Sequence, residues 1–236
     1  AQYNIDFDAV EKIKEKCVDE NRNPLTDEAL DICRAAGMVP VRYRTIMKPD
    51  ELKNCDVAYP AAIKLLSRDA SHKTDVGGVR LNIGSARDGE TAIHEMMGSF
   101  SDSAPSISVD GFLVQEMSRT GEEFFVGARR DPVFGPVVVA GYGGIFIELI
   151  NDRAMRLAPV TDGEAMDMLK ELKMFPLFQG VRGSAPLDAG ALVSIICRVS
   201  SLICAAEYID EIDLNPVIVH RDGKGLSLVD ARIYLG

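Results

Sequence analysis

The strongest constraint on this fold lies between residues 112 and 150, where four apolar runs follow one another with little between them. They span 112–117, 124–130, 136–141 and 145–150, each the length of a single strand. The breaks hold Gly121, Asp131-Pro132, Gly135 and Gly143-Gly144, the residues that supply tight turns. This stretch therefore predicts a sheet built from consecutive strands.

Helical patterns flank it. Phe7, Val10, Ile13 and Cys17 fall on one helical face over 7–17. Thr26 is a good N-cap for a second helix, which Gly37 ends. A strand over 39–43, a short helix from Pro49, strands at 61–66 and 79–83 and a helix over 88–100 come next. Residues 67–78 form a polar loop, and 101–109 a Ser-rich connector. After the strand-rich stretch come helices over 161–172 and 188–207, then strands at 211–214, 217–220 and 226–234, with a turn at 222–225. The pattern predicts an α+β chain with an N-terminal helical extension (1–21) and two lobes, 22–108 and 109–236. A ligand is expected in the cleft between the lobes.

Composition excludes several functions. Acidic residues outnumber basic ones, 36 to 26, which argues against a nucleic-acid partner. No apolar stretch is long enough to span a membrane, and no signal peptide is visible. The five cysteines are odd in number and lack a Cys-x-x-Cys pair, so reduced thiols in a cytoplasmic protein are expected.

Four constellations carry possible chemistry. Lys64, flanked by Ile63, Leu65 and Leu66, either meets an anion or guards a sheet edge against aggregation. The loop from Ser67 to Gly78 combines His72, Lys73 and the pair Gly77-Gly78. Glycines let backbone N–H groups approach a phosphate, and a neutral imidazole is both a nucleophile and a good leaving group. The other reading is a surface loop with an idle histidine. Near the C-terminus, Glu211, Asp213 and Asn215 share one strand face. A hairpin about 222–225 would set Val219 opposite Leu228 and Val217 opposite Asp230, making Asp230 the diagonal neighbour of Asn215. These hard oxygen ligands suit Mg²⁺, although a solvated acidic strand would look the same. Finally, Arg129 and Arg130 precede a tight turn, and Arg182 sits in a loop of small residues; each is a candidate phosphate clamp. Neither a Walker A loop nor a Gly-x-Gly-x-x-Gly turn is present.

From about residue 25 to the C-terminus, the ordered strings resemble the β subunit of ADP-forming acyl-CoA synthetases, and more distantly succinyl-CoA synthetase. The strings are Tyr59-Pro60 with Ile63-Lys64, then Ser71 to Gly78, Leu113 to Met117, Arg130 to Pro136, Gly180 to Gly183 and Glu211 to Pro216. The resemblance implies an ATP-grasp fold that binds ATP or ADP with Mg²⁺. It implies that Lys64 contacts phosphates, that Gln115, Glu116 and Met117 hold adenine, and that Glu123 positions the nucleotide. Asn215 and Asp230, with Asp213 beside them, would hold Mg²⁺. Gly77, Gly78, Arg130 and Arg182 would lie along the nucleotide. His72 would carry a phosphoryl group between a partner's phosphohistidine and ADP. The partner would be a CoA-binding α subunit, in a hetero-oligomer such as α2β2, or a fused domain. Two alternatives stay open: an ATP-grasp carboxylate–amine ligase, and a non-catalytic nucleotide-sensing subunit.

Overall fold

A computed structural model describes residues 3–69, 77–103, 108–144, 152–181 and 183–236. The expected strand at 145–150, the candidate carrier His72 and the candidate clamp Arg182 lie outside them. The chain divides into two compact units. One comprises residues 25–27 and 41–117, and the other 1–24, 28–40 and 118–236.

The smaller unit is a sheet of order β1-β4-β2-β3, with β1 Tyr43–Ile46, β2 Ala61–Leu66, β3 Val79–Ile83 and β4 Gly111–Glu116. Residues 39–43 do not form the expected strand; β1 begins only at Tyr43. There it pairs antiparallel with β4, Tyr43 opposite Gln115. Ile63, Leu65, Phe112 and Val114 point to one face and pack with Ile93 and Met96 of a helix over Ala86–Ser103. The alternate residues Ala62, Lys64, Leu113 and Gln115 therefore share the other face.

The larger unit has a sheet of order β10-β8-β5-β6-β7, with β9 also on β8. Its strands are β5 Glu122–Asp131, β6 Gly135–Tyr142, β7 Arg153–Leu157, β8 Ile209–Val219, β9 Leu226–Leu228 and β10 Arg232–Leu235. Numbered in chain order, its helices are α1 Phe7–Asp19, α2 Thr26–Ala35, α4 Asp162–Glu171 and α5 Ala189–Ala205; α3 is the smaller unit's helix. The apolar α5 packs across β5, β6 and β8. A full capping box, Thr161 with Glu164, starts α4. Gly37, at φ +75°, takes the left-handed conformation that ends α2.

Domain boundaries fall elsewhere than at 21 and 108. Strand β4 belongs with β1 and β2 through its ladder, which moves the boundary to 117/118. The N-terminal segment is no separate extension. Arg22 forks onto both oxygens of Glu28, and its side chain is only 5% exposed. Lys14 lies over the Tyr208 ring, and the Tyr3 hydroxyl donates to Asp162. These contacts bind α1 to the larger unit.

Candidate functional site

Among the described residues, α4 and α5 pack on the larger sheet, and period-two alternation decides which side chains meet them. On β8, Ile212 and Leu214 are buried toward the helix side, whereas Glu211, Asp213 and Asn215 face the open side. The open side carries a pocket of about 520 Å³ lined by Gly127, Arg129, Val139, Arg153, Met155 and Asp213, among others. At the edge of the pocket the Phe125 ring lies over Gly141, where a β-carbon would come within 2.6 Å of it. Only glycine fits there.

The hairpin register differs by two residues from the sequence expectation. Val217 faces Leu228 and Val219 faces Leu226, because the turn tightens at Arg221–Lys224 and Gly225 pairs back to His220. Beyond the gap the same register resumes with Arg232 opposite Asp213. Carried across the unpaired residues 229–231, that register sets Asp230 level with Asn215 rather than diagonal to it. A two-residue slip keeps every side chain on its own face, so the grouping persists. Asp188 fixes this hairpin: one oxygen caps α5 at the Ala191 N–H, and the other accepts from Gly225 N–H at 2.9 Å.

Burial raises the Asp213 carboxyl pKa, as do the negative charges of Asp230 and Glu211, while Arg232 opposes the shift. Crowded carboxylates of this kind hold a proton more tightly until a cation replaces it. Among the described residues, no group of three or more His, Cys, Asp or Glu side chains could hold a metal. Two carboxylates plus the Asn215 amide fit a cation that takes its remaining ligands from phosphate and water.

In the smaller unit, Lys64 is 8% exposed and Gln115 1% exposed, both on the face away from α3. Among the described residues, Nε2 of Gln115 has no hydrogen-bond partner. A buried amide donor without an acceptor is costly, and it fits a ligand that brings one. Glu116 and Met117 fix the end of β4: Glu116 accepts from Ala58 N–H, and Met117 N–H donates to Pro60. The Gly78 carbonyl accepts from Leu65 N–H, so this glycine extends the β2–β3 pairing, and Gly77 adopts φ +71°. Glu123 is exposed on β5, its carbonyl bonded to Gly143 N–H.

Arg130 has another role than clamping phosphate. It points to the helix side and donates to the carbonyls of Ile203, Ala206 and Ile209, capping the C-terminal end of α5. Its neighbour Arg129 is the one on the open face, and the strand alternation could have told them apart. Sequence reasoning also missed Arg153, because β7 was not anticipated. His220 contacts the Thr120 carbonyl and the Ser227 hydroxyl through its two ring nitrogens, so it is a structural residue.

Two antiparallel sheets, one with Asp213 and Asn215 on its open face, are the architecture that a nucleotide-dependent ligase domain would use. Residues 16–235 match the model of the ATP-grasp domain, and the chain belongs to that family. It is 34% identical over 226 residues to the acetate–CoA ligase [ADP-forming] I subunit beta of Pyrococcus furiosus, covering 95% of this chain and 97% of that one. Against the acetate–CoA ligase [ADP-forming] I of Archaeoglobus fulgidus it is 35% identical over 235 residues, 99% of this chain but 34% of the relative. The chain thus spans about a third of that relative's length. Among solved structures, the acetyl-coenzyme A synthetase 1 of Ca. Korarchaeum cryptofilum superposes with a TM-score of 0.82 at 32% identity, covering 96% of this chain and 100% of that one. That structure holds coenzyme A and Mg-AMPPCP, with its phosphohistidine segment pointing towards the nucleotide-binding site. Among the described residues no helix is long and apolar enough to cross a membrane.

Proposed function

We propose that this chain is the nucleotide-binding part of an ADP-forming acyl-CoA synthetase, interconverting acyl-CoA, ADP and phosphate with the free acid, ATP and CoA. What supports the reading is Asp213 and Asn215 on the open face of β8, between the registers that bracket Asp230, with burial raising the pKa of the Asp213 carboxyl. Lys64 and the amide of Gln115 would receive the nucleotide, with Glu116, Met117, Glu123, Gly77, Gly78 and Arg182 along it. Asn215, Asp230 and Asp213 would hold Mg²⁺, which when bound neutralises phosphate charge. The five thiols are unpaired, which accords with a cytoplasmic setting.

His72 would carry the phosphoryl group. Its neutral imidazole attacks the phosphorus of a partner's phosphohistidine; the partner's N–P bond breaks and a new one forms on His72. An oxygen of the ADP β-phosphate then displaces the ring, making the P–O bond of ATP and returning the electron pair to the imidazole. Because attack needs the neutral ring, loading should fall in acid. The CoA-binding partner, a separate α subunit or the remainder of a fused chain, completes the reaction.

Incubation with γ-labelled ATP and Mg²⁺ tests this reading. The label should survive base, be lost in acid, and be absent from His72→Ala, which should retain nucleotide affinity and lose turnover with the partner present. Full turnover by His72→Ala would sink the relay, and CoA-dependent turnover without any partner would sink the division of labour.

A further inference from the structure

The outer end of the open face differs from the end that bears Asp213 and Asn215. Val133 and Phe134, in the β5–β6 turn, are 80% and 69% exposed, and Met155 and Leu157 on β7 are 56% and 60% exposed. The register makes them one surface: Val139 faces Met155, Val137 faces Leu157, and Phe134 lines the same pocket as Val137, Val139 and Met155. The turn is fixed in place, because Asp131 accepts from the N–H groups of both Val133 and Phe134. These two bonds hold its carboxyl below the usual range. Arg129, Arg153 and Glu211 add charges of both signs around the apolar centre. An apolar centre of Phe and Met with arginine and a polar rim is the composition of a protein–protein contact. Its rigid turn adds little ordering cost on binding. A free anion would meet Asp131, Glu211 and Asp213 along with the two arginines, so the pocket does not favour one.

We infer that Val133, Phe134, Met155 and Leu157 form the docking surface for the CoA-binding part of the enzyme, an inference that rests on the function proposed above. The chain corresponds to 97% of a β subunit but to 34% of a continuous relative, so about twice its own length lies outside the matched part in the latter and is available to cover this surface. The surface shares a sheet face with Asp213, which faces Gly127 two residues from Arg129 along β5. A partner seated here approaches the metal-ligand residues from their own side, as phosphoryl delivery requires.

The test titrates the full chain with the CoA-binding chain encoded with it, or with the remainder of the polypeptide where the natural chain continues. Phe134→Asp and Met155→Lys should each weaken association by about 30-fold or more. Mg·ADP affinity of the chain alone should not change. Val18→Asp on α1, at a position 61% exposed, should leave association intact. Association of both variants at wild-type strength overturns the surface assignment. So does loss of nucleotide binding in them, which would make the surface part of the nucleotide site. If the isolated chain is a dimer that these substitutions dissociate, a second copy is the occupant and the inference fails. If the wild-type chain does not associate with the CoA-binding part at all, the proposed function fails as well.

Discussion

The two faces of the six-stranded sheet are built from the same strands yet have opposite duties. Arg129 and Arg130 are adjacent and chemically identical, but one lies in the open pocket and the other caps α5 on the buried side. On β8 the same division sets Ile212 and Leu214 against Asp213 and Asn215. The helix face holds the packing that stabilises the sheet and the open face the candidate ligands, so residue type alone says little about role.

The sharpest test substitutes each arginine in turn. Arg130→Ala takes a charged donor from three main-chain carbonyls, of which Ala206 keeps the Ile209 N–H, and should destabilise the fold by about 2–3 kcal/mol. Arg129→Ala should fall within about 0.5 kcal/mol of wild type. Urea denaturation of both variants decides it; equal losses would break the division between faces.

Next in size is nucleotide affinity. Lys64→Ala should cost about 1.5–3 kcal/mol of binding, whether or not Mg²⁺ is present. Asp230→Asn and Asn215→Ala should weaken binding by about tenfold with Mg²⁺ and little without it. Calorimetry in magnesium and in chelator separates the cases, and matching losses in both would assign Asn215 and Asp230 to structure.

The smallest effect concerns protons. The folded-state pKa of Asp213 is raised, so the native protein binds this proton more readily than the unfolded chain does. Between the two pKa values the native state carries more protons, and this residue's contribution to stability falls as pH rises. Asp213→Asn should flatten that slope and slightly stabilise the apo protein near neutral pH. Mg·nucleotide binding at mildly acid pH should release protons, measurable as a heat that varies with buffer ionisation enthalpy. No release from wild type would argue against metal at this carboxylate.

Much of this was legible in the sequence. Strands β2 and β3 emerged at their full extent because apolar runs were bounded by polar residues or glycine. The common face of Glu211, Asp213 and Asn215 followed from alternation, and the register error in the hairpin was even-numbered, so it moved no side chain of the strand to the other face. Strand β7 escaped notice: Arg153, Met155 and Leu157 are exposed at a sheet edge, so the segment lacks a strong apolar signature. Pro216 was read as a break between two strands, whereas β8 runs through it from Ile209 to Val219. The unit boundaries were missed because they depend on long-range pairing and salt links such as Arg22–Glu28, which no local window contains.

The same alternation constrains which changes of length the chain can absorb. Deleting a single residue at the start of β5 would exchange the faces of Arg129 and Arg130 and move both along the strand, taking the guanidinium out of reach of the α5 terminus, with Phe124 and Phe125 trading faces as well. The three-residue turn 132–134 stands outside that alternation, and Gly135 beside it has φ +77° with open space where its β-carbon would sit. Natural insertions in this half of the molecule should therefore accumulate at the β5–β6 tip, altering what the domain touches while leaving Asp213 and Asn215 in place.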